Sequence, residues 1–312
     1  MADIAITREA DPKRALTALE AAVDRAEKGA PLVIPSADVG DYRAAAELYL
    51  PDLRRYLDRV MMSPDAEAGL DALLDAGALA AVLPEVQAMV GFGDGEWRHK
   101  DVWKHTKQVV RQAVPKLEVR WAALLHDIGK VKTRSISPSG EVHFFGHAEV
   151  GARMFDKIDR RVPLFARDEA LKGTVRFLIL HHLRASQYDA SWTDSAVRRF
   201  TKEMGDALDD VLNLSRADIT TKRPEKKRRG LRQISELAER VRLVASEDAK
   251  IPPLPSGIGD AIMTTFGIPP SRKVGEMKKA LELAVDSGEV APRQDAEAYL
   301  EFIRQNAARF GL

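Results

Sequence analysis

The distribution of histidine constrains this chain more than any other feature of its sequence. All seven histidines among the 312 residues fall between His99 and His182. One of them stands in Leu124-Leu125-His126-Asp127-Ile128-Gly129-Lys130, where an apolar helical run ends in an adjacent imidazole and carboxylate. An apolar helix buries its end, so this helix carries two metal-competent side chains into the interior. The helices that bear the other histidines are therefore expected to converge on this point.

The bulk composition excludes several classes of protein. The chain is 45% apolar and 30% charged, as a globular protein is, and its net charge of +1 leaves any affinity for nucleic acid to local patches. It has no cysteine, which excludes disulfides, thiolate catalysis and thiolate metal sites. The first ten residues do not resemble a signal peptide, and no apolar run approaches the roughly 18 residues of a membrane span. We expect a cytoplasmic protein that does not enter membranes.

Helical periodicity and glycine or proline punctuation predict an all-α fold. We expect an N-terminal helical region at 1–90, a histidine-bearing helical core at 91–222 and a helical tail at 223–312. The basic run at 222–229 has two interpretations. It is either a solvated loop, which is the commoner case, or a surface that follows an RNA backbone, although no aromatic residue is interleaved to stack on bases.

Histidines and carboxylates follow one another in an order that indicates a metal site. The candidate residues in chain order are Asp101, His105, His126, Asp127, His147, His181, His182 and Asp218. Asp218 lies on an apolar-patterned helix, where a carboxylate is costly unless it is paired or ligated. Imidazole nitrogen and carboxylate oxygen without sulfur suit Mn, Fe, Co, Ni or Zn. Taken singly, a histidine such as His182 is more often a hydrogen-bonded core residue, and a lone aspartate is more often a helix cap.

This order of residues resembles the HD superfamily of metal-dependent phosphohydrolases, whose helical core would carry N-terminal and C-terminal helical extensions here. The four residues that match the defining motif are His105, His126, Asp127 and Asp218. The resemblance implies that they bind one metal. Three further residues match positions that bring a second metal in extended members, namely His147, His181 and His182. The implied cofactor is one or two divalent ions, from among Mn, Ni, Co, Fe, Mg and Zn.

A wider resemblance covers about 60–220 and the tail. It is to the HD-containing C-terminal part of bacterial CCA-adding enzymes and related tRNA nucleotidyltransferases. The matching segments are Met62-Ser63-Pro64, Leu73 to Leu79, Val82 to Glu85, Val197 to Phe200, Ser215 to Asp218 and Gly257 to Gly275. The sequence has no Gly-Ser nucleotidyltransferase motif, no Asp-x-Asp pair and no sheet-forming head. We therefore expect a relative without the nucleotidyltransferase head, which would not add CCA.

Several residues receive provisional roles. Asp127 is placed to bridge two ions, which in such sites activate water for in-line attack on phosphorus. Lys130 either meets charge on the phosphoryl oxygens or is a lysine favoured by a helix dipole. Arg198 and Arg199 either clamp a phosphate or line a solvated helix face. Asp101 is an extra ligand, a partner that orients His105, or a helix N-cap.

The resemblance implies a divalent-metal phosphohydrolase or phosphodiesterase that acts on nucleotide or RNA-terminal phosphoesters. The implied chemistry is that of a 2′,3′-cyclic phosphodiesterase, a 2′-nucleotidase or a phosphatase, and tRNA is a possible partner. Two alternatives stay open. The first is a non-catalytic tRNA- or RNA-binding module with a structural metal site. The second is a hydrolase of signalling nucleotides, although the Gly-Tyr-Pro signature of the cyclic-dinucleotide subgroup is absent. The sequence makes no prediction of oligomeric state.

Overall fold

The computed structural model of the chain describes residues 9–30, 37–93, 101–250 and 252–312, so His99 lies outside the described residues. The fold is all-α, as predicted, with one two-stranded antiparallel hairpin in the described part. The chain divides into two compact units, Met1–Ala238 and Glu239–Leu312. The predicted boundaries at residues 90 and 222 stay predictions.

The first unit carries most of the helices. They are α1 (Pro12–Lys28), α2 (Val39–Leu48), α3 (Leu50–Met62), α4 (Ala66–Asp75), α5 (Ala78–Val82), α6 (Pro84–Gln87), α7 (Val102–Gln112), α8 (Leu117–Leu125), α9 (Lys130–Thr133), α10 (His147–Arg161), α11 (Glu169–His181), α12 (Asp194–Met204), α13 (Leu208–Ala217) and α14 (Pro224–Lys250), the last of which continues into the second unit. The hairpin strands are β1 (Ser135–Ile136) and β2 (Val142–His143).

Helix α8 is the centre of the first unit. It packs against α3, α7, α11 and α13, and Val119 to Leu125 are buried along its whole circumference. A helix that is buried all round, as α8 is over these residues, is enclosed by other elements on every side. The residues that follow it, His126 and Asp127, are therefore delivered into the interior. Both are buried, with 1% of their surface exposed.

Two side chains of α8 fix its position against α3. The buried guanidinium of Arg120 donates Nη1 to the carbonyl of Met61 at 2.6 Å and to that of Ser63 at 3.2 Å, and Nε to Ala113 at 3.2 Å. The carbonyls at the end of α3 carry the negative pole of its dipole, which suits a cation. The indole of Trp121 donates to Asp58 at 2.7 Å. Burial lowers the pKa of Arg120, and the three carbonyls supply acceptors to its buried charged guanidinium.

Replacing Arg120 by methionine is expected to destabilise the protein. The change leaves three buried carbonyls without a donor, which costs about 2–4 kcal/mol of the free energy of unfolding. Urea unfolding followed by circular dichroism measures the loss. The matched control is Arg55→Met on α3, where the arginine is exposed and donates to Asp52; it is expected to change stability by at most about 0.5 kcal/mol. Equal effects of the two substitutions would contradict the tie between α3 and α8.

The second unit is a small helical cluster formed by the end of α14, α15 (Ile258–Phe266), α16 (Arg272–Asp286) and α17 (Ala296–Gln305). Its core includes Ile262, Leu281 and Tyr299, all fully buried. Among the described residues of both units, no helix combines the length and the apolarity that crossing a membrane requires.

The structure corrects one local prediction. The basic run at 222–229 is mostly helical rather than a loop, because α14 begins at Pro224, where proline suits the first turn of a helix. Its side chains are exposed, and Arg228 pairs with Glu225 one turn away.

Candidate metal centre

Four histidines present their Nε2 atoms to a common interior space. The Nδ1 atoms of His126, His147 and His182 lie 2.7–2.8 Å from the carbonyl oxygens three residues earlier in the chain. A carbonyl only accepts, so each Nδ1 carries a proton and donates it, and each Nε2 faces inward, where its lone pair can bind a cation whenever the ring is neutral. His105 holds its Nδ1 2.8 Å from the hydroxyl of Thr220. Such outer hydrogen bonds are how proteins orient metal-binding imidazoles.

The inward nitrogens meet in pairs. His105 Nε2 lies 3.3 Å from His126 Nε2, and His147 Nε2 lies 3.2 Å from His182 Nε2. Two lone pairs at this distance repel each other unless a proton or a cation lies between them. The pairing therefore indicates that each pair is built around a positive charge.

Asp127 is shared between the two histidine pairs. Its Oδ2 lies 3.2 Å from His126 Nε2 and 3.4 Å from His105 Nε2, whereas its Oδ1 lies 3.5 Å from His147 Nε2. Oδ1 is buried and accepts no hydrogen bond within the described part of the chain. A buried carboxylate oxygen without a donor is costly, and a cation would satisfy it.

Asp218 completes the first pair from the end of α13. Its Oδ1 lies 3.0 Å from His105 Nε2 and 3.5 Å from His126 Nε2, and its side chain is 29% exposed. Two groups of three residues could each hold a metal, because the ligand atoms within each group lie within 4.8 Å of one another. The first group is His105, His126 and Asp127, and the second is Asp127, His147 and His182. Neither sulfur nor an excess of carboxylates is present, so the donors fit a borderline divalent cation.

Gly129 allows the motif to reach α10. A Cβ built on Gly129 would lie 2.0 Å from the carbonyl oxygen of His147 and 2.8 Å from the backbone nitrogen of Gly151. Both obstacles are backbone atoms, which cannot move aside as a side chain can. Glycine is therefore required for the turn bearing Asp127 to pack on the first turn of α10, which bears His147.

The ionisation of the cluster divides it in two. Burial by itself would lower the pKa of His105 and His126, but hydrogen bonds and charge from Asp127 and Asp218 outweigh it; the pKa of both histidines is raised, that of His126 to about 10. Burial would raise the pKa of both aspartates, yet the adjacent histidines hold each pKa well below its usual range. Burial lowers the pKa of His147, and burial together with the charge of His126 lowers that of His182 to about 4.

Metal binding is expected to strengthen as pH rises. In the metal-free protein the pKa of His126 is about 10, against an ordinary value of 6.5. The proton on His126 therefore contributes fully to stability below pH 6.5, and this contribution is lost as the pH rises from 6.5 to 10. A metal at Nε2 displaces that proton, and affinity should therefore increase about tenfold per pH unit for each proton released.

Titration calorimetry between pH 6 and 8, in buffers of different ionisation enthalpy, measures the affinity and the protons released. His181→Ala is the control, since His181 is outside both groups and its loss should leave the slope unchanged. An affinity independent of pH, with no proton release, would contradict the assigned ionisation.

Two predicted candidates lie outside the groups. His181 precedes His182 on α11, and consecutive helical residues point about 100° apart. Its ring packs against that of Phe177 with centroids 4.2 Å apart, and its Nδ1 lies 3.8 Å from Glu203. Asp101 caps α7, accepting the backbone N–H of Lys104 at 3.2 Å. Asp101 is therefore a helix N-cap, one of the three roles considered for it. The hydrogen bond that orients His105 comes from Thr220.

Among the predicted phosphate-binding residues, Lys130 contacts the cluster directly. Lys130 donates to Asp127 Oδ2 at 2.6 Å and is 22% exposed, so its ammonium is part of the site. Arg198 and Arg199 lie on α12, the first half-buried and the second exposed. Their role in binding phosphate stays a prediction.

The sequence interpretation missed two residues of the site. Thr220, two positions after Asp218, fixes the ring of His105. Gly129 was part of the motif but received no role. Its signal was available, since a glycine two residues after a buried candidate ligand is typical of a close approach by another backbone.

The geometry agrees with comparisons to known proteins. Residues 102–244 match the family described as the HD domain. This stretch of the chain is therefore an HD domain, as the motif predicted, and HD domains bind divalent metals.

The relatives extend the similarity beyond the HD domain. The chain is 32% identical over 256 residues to the A-adding tRNA nucleotidyltransferase of Deinococcus radiodurans, which covers 80% of this chain and 57% of that protein. It is 32% identical over 261 residues to the CC-adding tRNA nucleotidyltransferase of Thermus thermophilus, covering 81% and 56%. A shorter match, 36% over 111 residues, is to the multifunctional CCA protein of Ectopseudomonas mendocina, covering 34% of this chain and 26% of that protein. The chain thus spans a little over half the length of the first two relatives.

Proposed function

We propose that the chain is a divalent-metal-dependent phosphohydrolase or phosphodiesterase that acts on nucleotide or RNA-terminal phosphoesters. One observation carries the proposal. Asp127 directs one oxygen to the pair of His105 and His126, and the other oxygen toward His147. A buried carboxylate between two sets of inward imidazoles is suited to hold two cations side by side, which is the arrangement that hydrolyses phosphoesters.

The chain offers separate ligand sets for two ions. The first set would be His105, His126, Asp127 and Asp218, and the second Asp127, His147 and His182. Four imidazoles favour Mn, Fe, Co, Ni or Zn over Mg, which prefers oxygen ligands. When bound, such an ion supplies Lewis acidity and lowers the pKa of water.

The exposed rim of the cluster indicates where a substrate enters. His126 and Asp127 are 1% exposed, whereas His105 and Asp218 are 20% and 29% exposed. Lys130 lies on the accessible side as well. Its ammonium donates to Asp127, and a phosphoryl group in the site would give it a second anion to contact. The phosphate roles of Arg198 and Arg199 belong to this proposal.

An RNA 3′ end, including that of tRNA, is the favoured substrate among phosphoesters. Two relatives are named as tRNA nucleotidyltransferases. The exposed basic start of α14 follows Asp218 by only a few residues, so a polyanion on that helix would lie near the metal centre. The specific reactions proposed are hydrolysis of a 2′,3′-cyclic phosphate, of a 2′-phosphate or of a terminal monoester.

The test is turnover by the purified protein. It is given bis-p-nitrophenyl phosphate, adenosine 2′,3′-cyclic phosphate and adenosine 2′-phosphate with Mn, Ni, Co, Fe, Zn or Mg. Metal-dependent release of product, saturable in substrate, supports the proposal. Absence of turnover with every ion, together with tight binding of tRNA, would instead establish the alternative of a non-catalytic RNA-binding module.

Charge reversal on α14 is expected to weaken RNA binding. Changing Lys226, Lys227, Arg228 and Arg229 to glutamate removes cations that would neutralise phosphates. The dissociation constant should therefore rise, and the negative slope of log affinity against log salt should decrease in magnitude by about 0.7–0.9 for each phosphate that is no longer neutralised. Filter binding of tRNA at several salt concentrations measures both. Lys279→Glu, an exposed lysine on α16, is the control. Unchanged binding would make the basic start of α14 a solvated helix face.

A further inference from the structure

A tight turn carries an exposed aromatic side chain two residues before His147, one of the proposed metal ligands. Residues 144–147 form a turn closed by a 3.2 Å hydrogen bond from the backbone N–H of His147 to the carbonyl of Phe144. Gly146 adopts φ 71° and ψ 15°, which suits the third position of a type II turn. Phe145 occupies the second position, at the tip. Its Cα lies within about 7.6 Å of that of His147, since consecutive Cα atoms are about 3.8 Å apart.

The phenyl ring of Phe145 is exposed but held in place. It is 77% exposed, the largest fraction among the exposed large apolar side chains of the described residues. It stacks on the imidazole of His143, with centroids 4.9 Å apart and planes within 14° of parallel. His143 belongs to β2 and pairs with Ser135. The stack covers one face of the phenyl ring, and the high exposure leaves the other face open to solvent.

The neighbouring residues anchor this turn to the site. The carbonyl of Phe144 accepts the proton of His147 Nδ1 at 2.7 Å, so the turn also orients a proposed ligand. The ring of Phe144 contacts Phe92, with centroids 6.4 Å apart, and Lys130 Nζ lies 5.7 Å from its centre. The tip residue is therefore carried by a turn fixed on both sides, close to the ammonium that would meet a phosphate.

We propose that Phe145, supported by His143, is a stacking platform for the nucleobase of the substrate. This rests on the proposed function. A base offers a flat π face, and stacking on an exposed aromatic side chain requires no particular base edge. A phosphate at the metal centre and a base on Phe145 would together select nucleotides and RNA ends over phosphoesters that lack a base. The platform binds substrate and takes no part in the bond-breaking step.

The test compares two cyclic phosphodiesters that share a five-membered ring. Adenosine 2′,3′-cyclic phosphate has a base, and glycerol 1,2-cyclic phosphate has none. Phe145→Ala is expected to lower kcat/KM for the adenosine compound roughly 5–10-fold, through KM, without change for the glycerol compound. Phe145→Trp should restore the value. Ile136→Ala removes another exposed apolar side chain of the same hairpin and should change neither substrate. An equal effect of Phe145→Ala on both substrates, or none on either, would overturn the platform.

A binding measurement separates this proposal from the proposed function. Calorimetric titration of the full chain with adenosine 2′-phosphate is expected to show affinity weakened roughly 5–10-fold by Phe145→Ala and unchanged by Ile136→Ala. If no phosphoester is hydrolysed but this difference in affinity appears, the catalytic proposal fails and the platform stands. If hydrolysis occurs and the two variants bind the nucleotide equally, the platform fails and the catalytic proposal stands.

Discussion

Asp127→Ala leaves the purified protein without stoichiometric metal and without hydrolytic activity: this is the largest functional effect expected for a single substitution here. Asp127 is the one side chain that both groups of ligand atoms share. Its removal takes an anionic ligand from each group and leaves two histidine pairs whose Nε2 atoms face each other. Without the carboxylate, bringing two cations together in a buried space is opposed by their repulsion.

Elemental analysis by mass spectrometry and the turnover assay measure the two losses. Asp127→Asn keeps the shape of the side chain and removes its charge, so it distinguishes loss of the anion from loss of packing; metal content should fall in both variants. Asp101→Asn is the matched control, because it keeps an oxygen to cap α7 and lies outside both groups. Stoichiometric metal retained in Asp127→Ala would mean that other residues are the ligands.

Gly129→Ala is the second large effect, and it acts through the backbone. The added Cβ would lie 2.0 Å from the carbonyl oxygen of His147, far inside contact distance. The turn after Asp127 and the first turn of α10 must then separate, which is expected to cost more than about 3 kcal/mol of the free energy of unfolding. The movement would also displace His147 from Asp127, so that metal at the second set of ligands is lost first.

Gly173→Ala provides the comparison. Gly173 lies on the exposed side of α11, and a Cβ there meets nothing within 4 Å. Alanine should stabilise that helix by about 0.5–1 kcal/mol. Thermal unfolding and metal content of the two variants test the close approach. A Gly129→Ala protein with the melting temperature and metal content of the unchanged chain would disprove it.

The order of the histidines predicted the HD domain, but it did not predict how the side chains point. His181 and His182 are equivalent in a list of motif residues, and only the rotation of α11 against its neighbours decides that His182 faces Asp127. Sequence also identified Asp218 but not Thr220, because a threonine near a helix end has many ordinary uses. The start of α14 was expected in a loop since its charge is high; proline at the first turn and the pairing of Glu225 with Arg228 allow a helix there instead.

The hydrogen bonds of Arg120 show that the part of the chain that must fold together is longer than the part that carries the proposed ligands. Every proposed ligand lies within the HD match at residues 102–244, yet the guanidinium beneath α8 is satisfied mainly by the carbonyls of Met61 and Ser63, far earlier in the chain. An excised segment bounded by the family match would keep its proposed ligands but would leave the buried guanidinium of Arg120 without the carbonyls of Met61 and Ser63. The helices before residue 90 are thus part of the scaffold of the candidate metal centre, although they carry none of its proposed ligands.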